Sequence, residues 1–478
     1  MNLKVLSKHI LIYTLGVGVF QIINLVTTKF YTNFFTLEEF GEISLIIAFA
    51  TLLSTAISGI QISNGLGRFY SDNKYRKFKK IIISTSYFSL LIFSFISYGL
   101  ISIFSKSLKT QVFSDSRPVY FIFLVIIFSF VLTHERFFNL IFKWDLKPKK
   151  FIVFSNINPL LTILGVIFFT LILKMRLGGF LFAVIISSLL TSILILFKIK
   201  NHFEWSYSWK WAKKIISYSL PLIPYASTLL VLTYSDRFLV KIFMGFEYAG
   251  LYSLGAKISG ILTVLSTGFR NAWGPYFFST HYDKNASGRY SQVFDTFVFL
   301  SMLGIVTLTI FANEIILVLS TAEYLPSHPV IPFLLLSNLL FNLQFFMLGI
   351  YIKNKTYYLT ITALISVFIN ISLDIWLIPL LGIIGAALAT MVSYIIMFVT
   401  NMIISQKLHH IPYKFKKNLY FIMPWFIFCI FFNYYPLVPF KSILIKIILV
   451  FLFLTTAHIT GIINGSKLKK SLKNFINP

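Results

Sequence analysis

The chain has 478 residues, of which 57% are hydrophobic and 12% charged; mean hydropathy is +0.82 and formal net charge +27. That composition excludes a soluble globular chain, and the single cysteine, Cys429 inside an apolar segment, excludes a disulfide framework. The cations sit between apolar segments, where they read as topology signals and anionic-lipid contacts rather than as a nucleic-acid surface.

Apolar segments recur from end to end, each roughly 18–25 residues, about what a helix needs to cross a bilayer core of about 30 Å. Read in order, they predict about fourteen spans: 9–31, 41–63, 81–105, 118–138, 151–173, 178–198, 215–235, 248–269, 292–312, 330–352, 358–379, 382–404, 419–435 and 442–463. The first lacks a small-residue cleavage site and is read as a retained span. Lysine and arginine crowd into every second loop: 64–80, 143–150, 198–214, 270–290, 353–355 and 405–417. Lys4 and Lys8 before the first span, and Lys467, Lys469, Lys470 and Lys473 in the tail, fall on the same side. The alternate loops carry Glu38 and Glu39, or Glu314 and Glu323. Cationic loops stay cytoplasmic, so both termini are expected in the cytoplasm of a multi-pass membrane protein.

The sequence resembles itself at an offset of about 209. FFTLEEFGEIS at 34–44 aligns with FMGFEYAGLYS at 243–253, pairing Glu38, Gly41 and Ser44 with Glu247, Gly250 and Ser253. A weaker match at offset 204 pairs Leu177, Gly178 and Ala183 with Leu381, Gly382 and Ala387. Both place spans one to six over spans seven to twelve in the same orientation, an arrangement that puts a substrate cavity between parallel halves. The expected domains are an N-terminal six-helix bundle (1–200), a C-terminal one (201–405), and an accessory helix pair with a basic tail (406–478).

Three stretches stand out: Asp236-Arg237-Phe238-Leu239 with Gly250-Leu251-Tyr252-Ser253-Leu254-Gly255-Ala256-Lys257-Ile258, Leu220-Pro221-Leu222-Ile223-Pro224, and Phe269-Arg270-Asn271-Ala272-Trp273-Gly274-Pro275. These motifs resemble those of bacterial polysaccharide-repeat-unit flippases, the O-antigen and capsule translocases of the multidrug/oligosaccharidyl-lipid/polysaccharide (MOP) exporter superfamily. The stretch from Ile378-Pro379 through Gly382 to Thr390, and Gly65-Leu66-Gly67-Arg68-Phe69-Tyr70, agree with the same family. Asp374 departs from the pattern, standing where the family has an uncharged Asn. The resemblance implies an all-α polytopic fold, two six-helix bundles forming a V-shaped cleft. It also implies translocation, without covalent chemistry, of oligosaccharide on undecaprenyl pyrophosphate from the cytoplasmic to the periplasmic leaflet of the inner membrane, for O-antigen, lipopolysaccharide or capsule synthesis. Polysaccharide polymerase and a chain-length regulator are the partners it suggests.

Against that task, helices with one hydrophilic stripe are the candidates to meet sugar hydroxyls. Gln21, Asn24 and Thr28 line span one; Ser44, Thr51, Thr55 and Ser58 span two; Asn338 and Asn342 lie in span ten. Thr362, Ser366, Asn370 and Asp374 follow strict i+4 spacing in span eleven. The alternative for each is interhelical packing. Lys257, two to three turns into span eight, is the sharpest candidate for the pyrophosphate, since a lysine at that depth needs water or an anion; pairing with Asp374 or snorkelling are the alternatives. Lys29, Arg237 and Lys241 flank the outer ends of spans one and seven, and Arg68 and Arg270 the inner ends of two and eight. Asp374 is also a candidate for Na⁺ or H⁺ coupling; no other cofactor is expected. His458 and His134-Glu135-Arg136 read as packing and interface residues. Pro221, Pro224, Pro275 and Pro379 are expected to break or end helices. Two other classes stay open: a multidrug or cation antiporter of the same superfamily, and a membrane glycan polymerase or glycosyltransferase. The short loops oppose the enzyme, and a nucleotide-binding Gly-x-x-x-x-Gly-Lys-Ser/Thr loop does not occur.

Overall fold

The computed structural model describes residues 3–56, 60–70, 72–145, 147–220, 223–280, 283, 286–353, 355–434 and 443–460. Ser58, Pro221, Lys284 and the tail lysines lie outside them. Among the described residues the chain is helical, without a strand: α1 Leu3–Phe34, α2 Leu37–Ala56, α3 Ile60–Tyr70, α4 Lys79–Ile103, α5 Ser105–Val112, α6 Tyr120–Trp144, α7 Pro148–Val166 and α8 Arg176–Ile199. Then follow α9 Trp209–Ser219, α10 Ile223–Met244, α11 Phe246–Ser259, α12 Leu262–Thr280, α13 Ala286–Ile310 and α14 Ala312–Leu319. The chain continues with α15 Ile331–Asn342, α16 Leu348–Ile352, α17 Tyr357–Leu381, α18 Ile383–Leu408, α19 Phe415–Tyr434 and α20 Ile443–Ile459.

Among the described residues nine continuous helices are long and apolar enough to cross a membrane, and ten if the bent pair α9–α10 is one span. Two predicted spans are broken: the eighth is α11 and α12 with a break at Gly260 and Ile261, and the seventh bends by 49° between α9 and α10; the fourteenth, α20, is a shorter apolar helix of 17 residues. Pro379 lies just before the end of α17, but α12 runs helical through position 275, so that proline does not end its helix.

Chain contacts divide the protein into two compact units, one of Ile22–Gly250 and one of Met1–Gln21 with Leu251–Pro478. In the first, α6 packs against α2, α7 and α8, and α10 lies along α2. Its lysine-rich end is closed by Asp145, which accepts hydrogen bonds from Tyr70, from Lys147 Nζ at 2.7 Å and from His202 Nε2 at 2.8 Å. Burial alone would raise the Asp145 carboxyl, but the bonds from His202, Lys147 and Tyr70 outweigh it and hold the group well below the usual carboxylate range. A depressed pKa contributes stability that is present above the unfolded value of about 3.9 and is lost as pH falls through the folded one. The gap in melting temperature between the wild type and Asp145→Asn should therefore be present at about pH 5 and narrow below about pH 4. A gap that ignores pH would remove this cluster as its source.

The same unit contains the meeting of the sequence repeat with itself. A Cβ added to Gly41 would stand 1.9 Å from the Phe246 carbonyl oxygen, and one added to Gly250 would stand 2.8 Å from that of Leu37. Leu37 and Gly41 correspond to Phe246 and Gly250 at the offset of 209, so the contact is reciprocal. Glu38 and Glu247 occupy the first turns of α2 and α11, where negative charge suits the helix dipole.

In the second unit α17 and α18 form a hairpin turned at Gly382, whose φ of 62° with ψ of −143° is a glycine conformation. A Cβ on Gly385 would meet the Leu377 carbonyl at 2.2 Å, so the corner stays tight only with glycine there. The helices α19 and α20 dock on α13. Asn418 donates to Asp295 at 2.7 Å, and Lys446 Nζ lies 2.6 Å from Glu314.

Candidate functional site

The helix α17 is apolar outside and polar inside. Ile361, Leu364, Ile365, Phe368, Ile375 and Trp376 are exposed, as a hydrocarbon environment requires, while Thr362, Ser366, Asn370 and Asp374 are at most 4% exposed. In this conformation the stripe lies within the unit. Thr362 Oγ1 donates to Asn401 Oδ1 at 2.8 Å, and Asn401 Nδ2 donates to Gln344 Oε1 at 2.9 Å, tying α17 to α18 through side-chain amides and hydroxyls.

Lys257 occupies the last turn of α11, where the dipole favours a cation, just before the break at Gly260 and Ile261. It is partly accessible. Asn338 Nδ2 lies 3.5 Å from the Ser259 carbonyl, which brings α15 to this end of α11, and Asn342 donates to the Asn338 carbonyl at 2.6 Å. Arg270 on α12 is exposed, with its guanidinium over the Phe345 ring at 5.4 Å. Gln21 on α1 is half-buried.

In the other unit Asn24, Lys29, Arg237 and Lys241 are also half-buried. Arg237 donates to the Thr233 carbonyl at 3.2 Å and stacks over Tyr234, and Lys241 donates to the Thr110 carbonyl. Arg68 is exposed and 3.7 Å from Asp72, so it meets a local partner at the surface. The structure thus groups Lys29, Arg237 and Lys241 in one unit and Lys257, Arg270, Asn338, Asn342, Asn370 and Asp374 in the other.

Two features are less visible in the sequence. Arg136, read as a packing residue, lies inside α6 and donates to Ser54 Oγ at 2.8 Å and Thr55 Oγ1 at 3.3 Å. The stripe partner Thr55 is therefore a ligand to a cation. At the opposite end of the unit Glu42, wholly buried on α2, accepts from the Ser114 amide and hydroxyl at 2.9 Å and from Arg117 at 2.9 and 3.1 Å. Arg117 also reaches Glu39, as does Arg176 at 3.0 Å. Glu39 and Thr36 cap α2 reciprocally at 3.2 Å each way; the Thr-x-x-Glu spacing of a capping box was there to be read.

Glu135, Asp236 and Asp374 are buried at 7%, 3% and 0% exposure, whereas Lys29, Arg136, Arg237, Lys241 and Lys257 are partly accessible. The division is not one of sign alone, since Lys446 on α20 is buried and Asp295 on α13 is partly accessible.

Residues 6–281 match a family model described as polysaccharide biosynthesis protein. No curated protein matches the chain in sequence. Among solved structures it is similar to the lipid II flippase MurJ in an inward closed conformation, at TM-score 0.65 and 16% identity over 92% of this chain and 100% of that one. It is also similar to a multidrug resistance MATE family transporter of the MOP superfamily. The inward-facing form gives TM-score 0.62 at 15% identity, covering 81% and 95%, and the outward-facing form 0.56 at 16%, covering 84% and 96%. At such identities the likeness is one of fold.

Proposed function

Because the chain belongs to the polysaccharide biosynthesis protein family and has the fold of MOP-superfamily transporters, we propose that it is a flippase. Its cargo in this reading is an oligosaccharide repeat unit on undecaprenyl pyrophosphate, moved from the cytoplasmic to the periplasmic leaflet of the inner membrane for O-antigen or capsule synthesis. The observation that carries the reading is the set of partly accessible cations Lys29, Arg237, Lys241 and Lys257 alongside the buried carboxylates Asp236 and Asp374. Cations at such positions suit a pyrophosphate and would repel the cationic drugs of an antiporter.

In this reading fourteen spans form two six-helix bundles and an accessory pair, with both termini cytoplasmic. Lys257 holds the pyrophosphate. Arg68 and Arg270 receive it at the cytoplasmic side, and Lys29, Arg237 and Lys241 hold it in the outward state. Gln21, Asn24, Asn338, Asn342 and Asn370 meet sugar hydroxyls, and Asp374 couples the cycle to Na⁺ or H⁺. Polymerase and chain-length regulator take over the delivered unit.

The test is the leaflet sidedness of lipid-linked glycan in cells depleted of the protein. Complete pyrophosphate-linked repeat units should accumulate facing the cytoplasm. Units that reach the periplasm but fail to polymerise would transfer the assignment to a polymerase. A normal glycan together with raised drug accumulation would transfer it to an antiporter.

A further inference from the structure

At the lysine-rich end of the Ile22–Gly250 unit, the chain leaving α8 runs back along the flank of α4 before it enters α9. The Glu204 amide donates to Ser84 Oγ at 2.9 Å, the Ser208 amide donates to Thr85 Oγ1 at 3.2 Å, and the Tyr207 hydroxyl lies 3.4 Å from Ser89 Oγ. These contacts fall between the first and third turns of α4, which begins at Lys79. That is the depth at which a spanning helix passes from headgroups into acyl chains, and the level where tryptophan and tyrosine gather. Trp205 and Trp209 on this strap are 76% and 79% exposed. Open to water, such rings would forgo most of their apolar burial; at the interface each meets an apolar layer on one side and a polar one on the other.

The helix α9 docks by one face only. Trp211, Ala212, Ile215 and Ser219 are buried, and a Cβ added to Gly65 of α3 would stand 2.9 Å from the Ile215 carbonyl, so the two helices meet closely. At about 100° per residue the open face has two edges. Trp209, Ile216 and Leu220 fall within about 40° of one another and are exposed, and Lys213, Lys210 and Lys214 follow over roughly the next 120°. An apolar edge beside a cationic one is the pattern of a helix lying in a membrane interface. The cations of α9 then meet those of the segment Asn73–Phe78, which carries Lys74, Arg76 and Lys77. Tyr75 and Trp211 pack edge to face at 5.1 Å, with Lys74 Nζ at 5.8 Å and Lys214 Nζ at 5.5 Å from the Tyr75 centroid. The rings offset part of the repulsion between these ammonium groups. Carboxylates do not offset the rest: residues 72–78 and 204–220 contribute Asp72 and Glu204 against six cations, and Asp72 lies 3.7 Å from Arg68. Among the described residues none of the six is ion-paired.

We propose that the surface built by residues 74–78 and 204–220 is a binding site for anionic phospholipid. The headgroup phosphate accepts hydrogen bonds from the lysines, and the glycerol and upper acyl chains lie against Trp205, Trp209 and Ile216. The charge alone would also suit a soluble acidic protein, but such a partner brings no acyl chain to the exposed tryptophans beside it. In the orientation proposed above, the leaflet is the cytoplasmic one. Binding itself is independent of what the protein carries.

The experiment titrates the full chain, purified in detergent, with phosphatidylglycerol brominated on its acyl chains and reads the quenching of tryptophan fluorescence. Quenching should saturate, weaken as salt is raised, and exceed that by brominated phosphatidylcholine. Lys210 and Lys213 are exposed, so replacing both with glutamine leaves the packing intact. Affinity should fall about fivefold for each lysine lost, about 25-fold together. Lys149→Gln with Lys150→Gln, an equal loss of charge at the start of α7, should leave it unchanged. Trp205→Phe with Trp209→Phe should remove most of the saturable quenching. Equal quenching by the two lipids, or an equal loss in the two lysine pairs, would overturn the site. Displacement of the lipid by inorganic phosphate at matched concentration would reassign the lysines to a free anion, and absence of saturable quenching would leave the surface to a soluble acidic partner; either overturns the proposal. Because the readout needs no cargo, failure here is distinct from failure of the flippase reading.

Discussion

Replacing Lys257 with alanine is expected to abolish translocation while the protein still inserts and accumulates normally. The side chain lies eleven residues into α11, roughly 17 Å from its start at 1.5 Å per residue, and is partly accessible rather than packed away. A charge-assisted hydrogen bond to phosphate contributes about 1.5–3 kcal/mol, which converts to a roughly 10- to 100-fold loss when it is removed. Lys257→Arg keeps the charge on a bulkier planar fork and should retain part of the activity. The measurement is leaflet sidedness of lipid-linked glycan at matched protein levels in the membrane. Full activity in the alanine variant would take Lys257 out of the proposed mechanism.

The second large effect is expected at the reciprocal glycine contact. In Gly41→Ala the new methyl group has to occupy space 1.9 Å from a backbone carbonyl oxygen, and backbone cannot swing aside as a side chain can. The helices must separate, at a cost of about 3 kcal/mol, the upper end of ordinary overpacking. Gly250→Ala meets the Leu37 carbonyl at 2.8 Å and should cost less. Gly99 on α4 has nothing within 4 Å of its missing Cβ. Gly99→Ala should therefore be neutral or gain a fraction of a kcal/mol from helix propensity, roughly the Gly-to-Ala difference of 0.8–1.0 kcal/mol at most. Melting temperatures in detergent should fall in the order Gly99→Ala, Gly250→Ala, Gly41→Ala. An unchanged melting temperature for Gly41→Ala would show that α2 and α11 do not meet there.

Much of this was legible before any coordinates. Hydrophobic runs of membrane length placed α4, α8, α17 and α18 within four residues of their observed bounds and α6 and α13 within six. A helix in hydrocarbon must be apolar over its whole length, and that signal survives without knowledge of neighbours. The glycines that the offset of 209 pairs, Gly41 and Gly250, stand against the Phe246 and Leu37 carbonyls, a close approach that their letters alone do not show. The broken spans were less legible. Gly260 was visible, but a glycine tolerates a continuous helix as readily as a break, and Pro275 sits within a helix that continues.

By itself the sequence determined the class: its hydropathy fixes membrane helices, its cationic loops suggest their orientation, and its motifs point to the family. It could not decide which polar residues face protein and which face an accessible space, because i+4 spacing puts residues on one face of a helix without saying what that face meets. The tertiary structure decided that. It buries Asp374, Asp236 and Glu135, leaves Lys257 and Arg136 partly accessible, and separates Glu135 from Arg136, adjacent in the chain, onto different helix neighbours. The reason is that burial of a charge depends on partners brought from distant segments, Asn158 and Ser188 for one and Ser54 and Thr55 for the other, and only the packed fold brings them together.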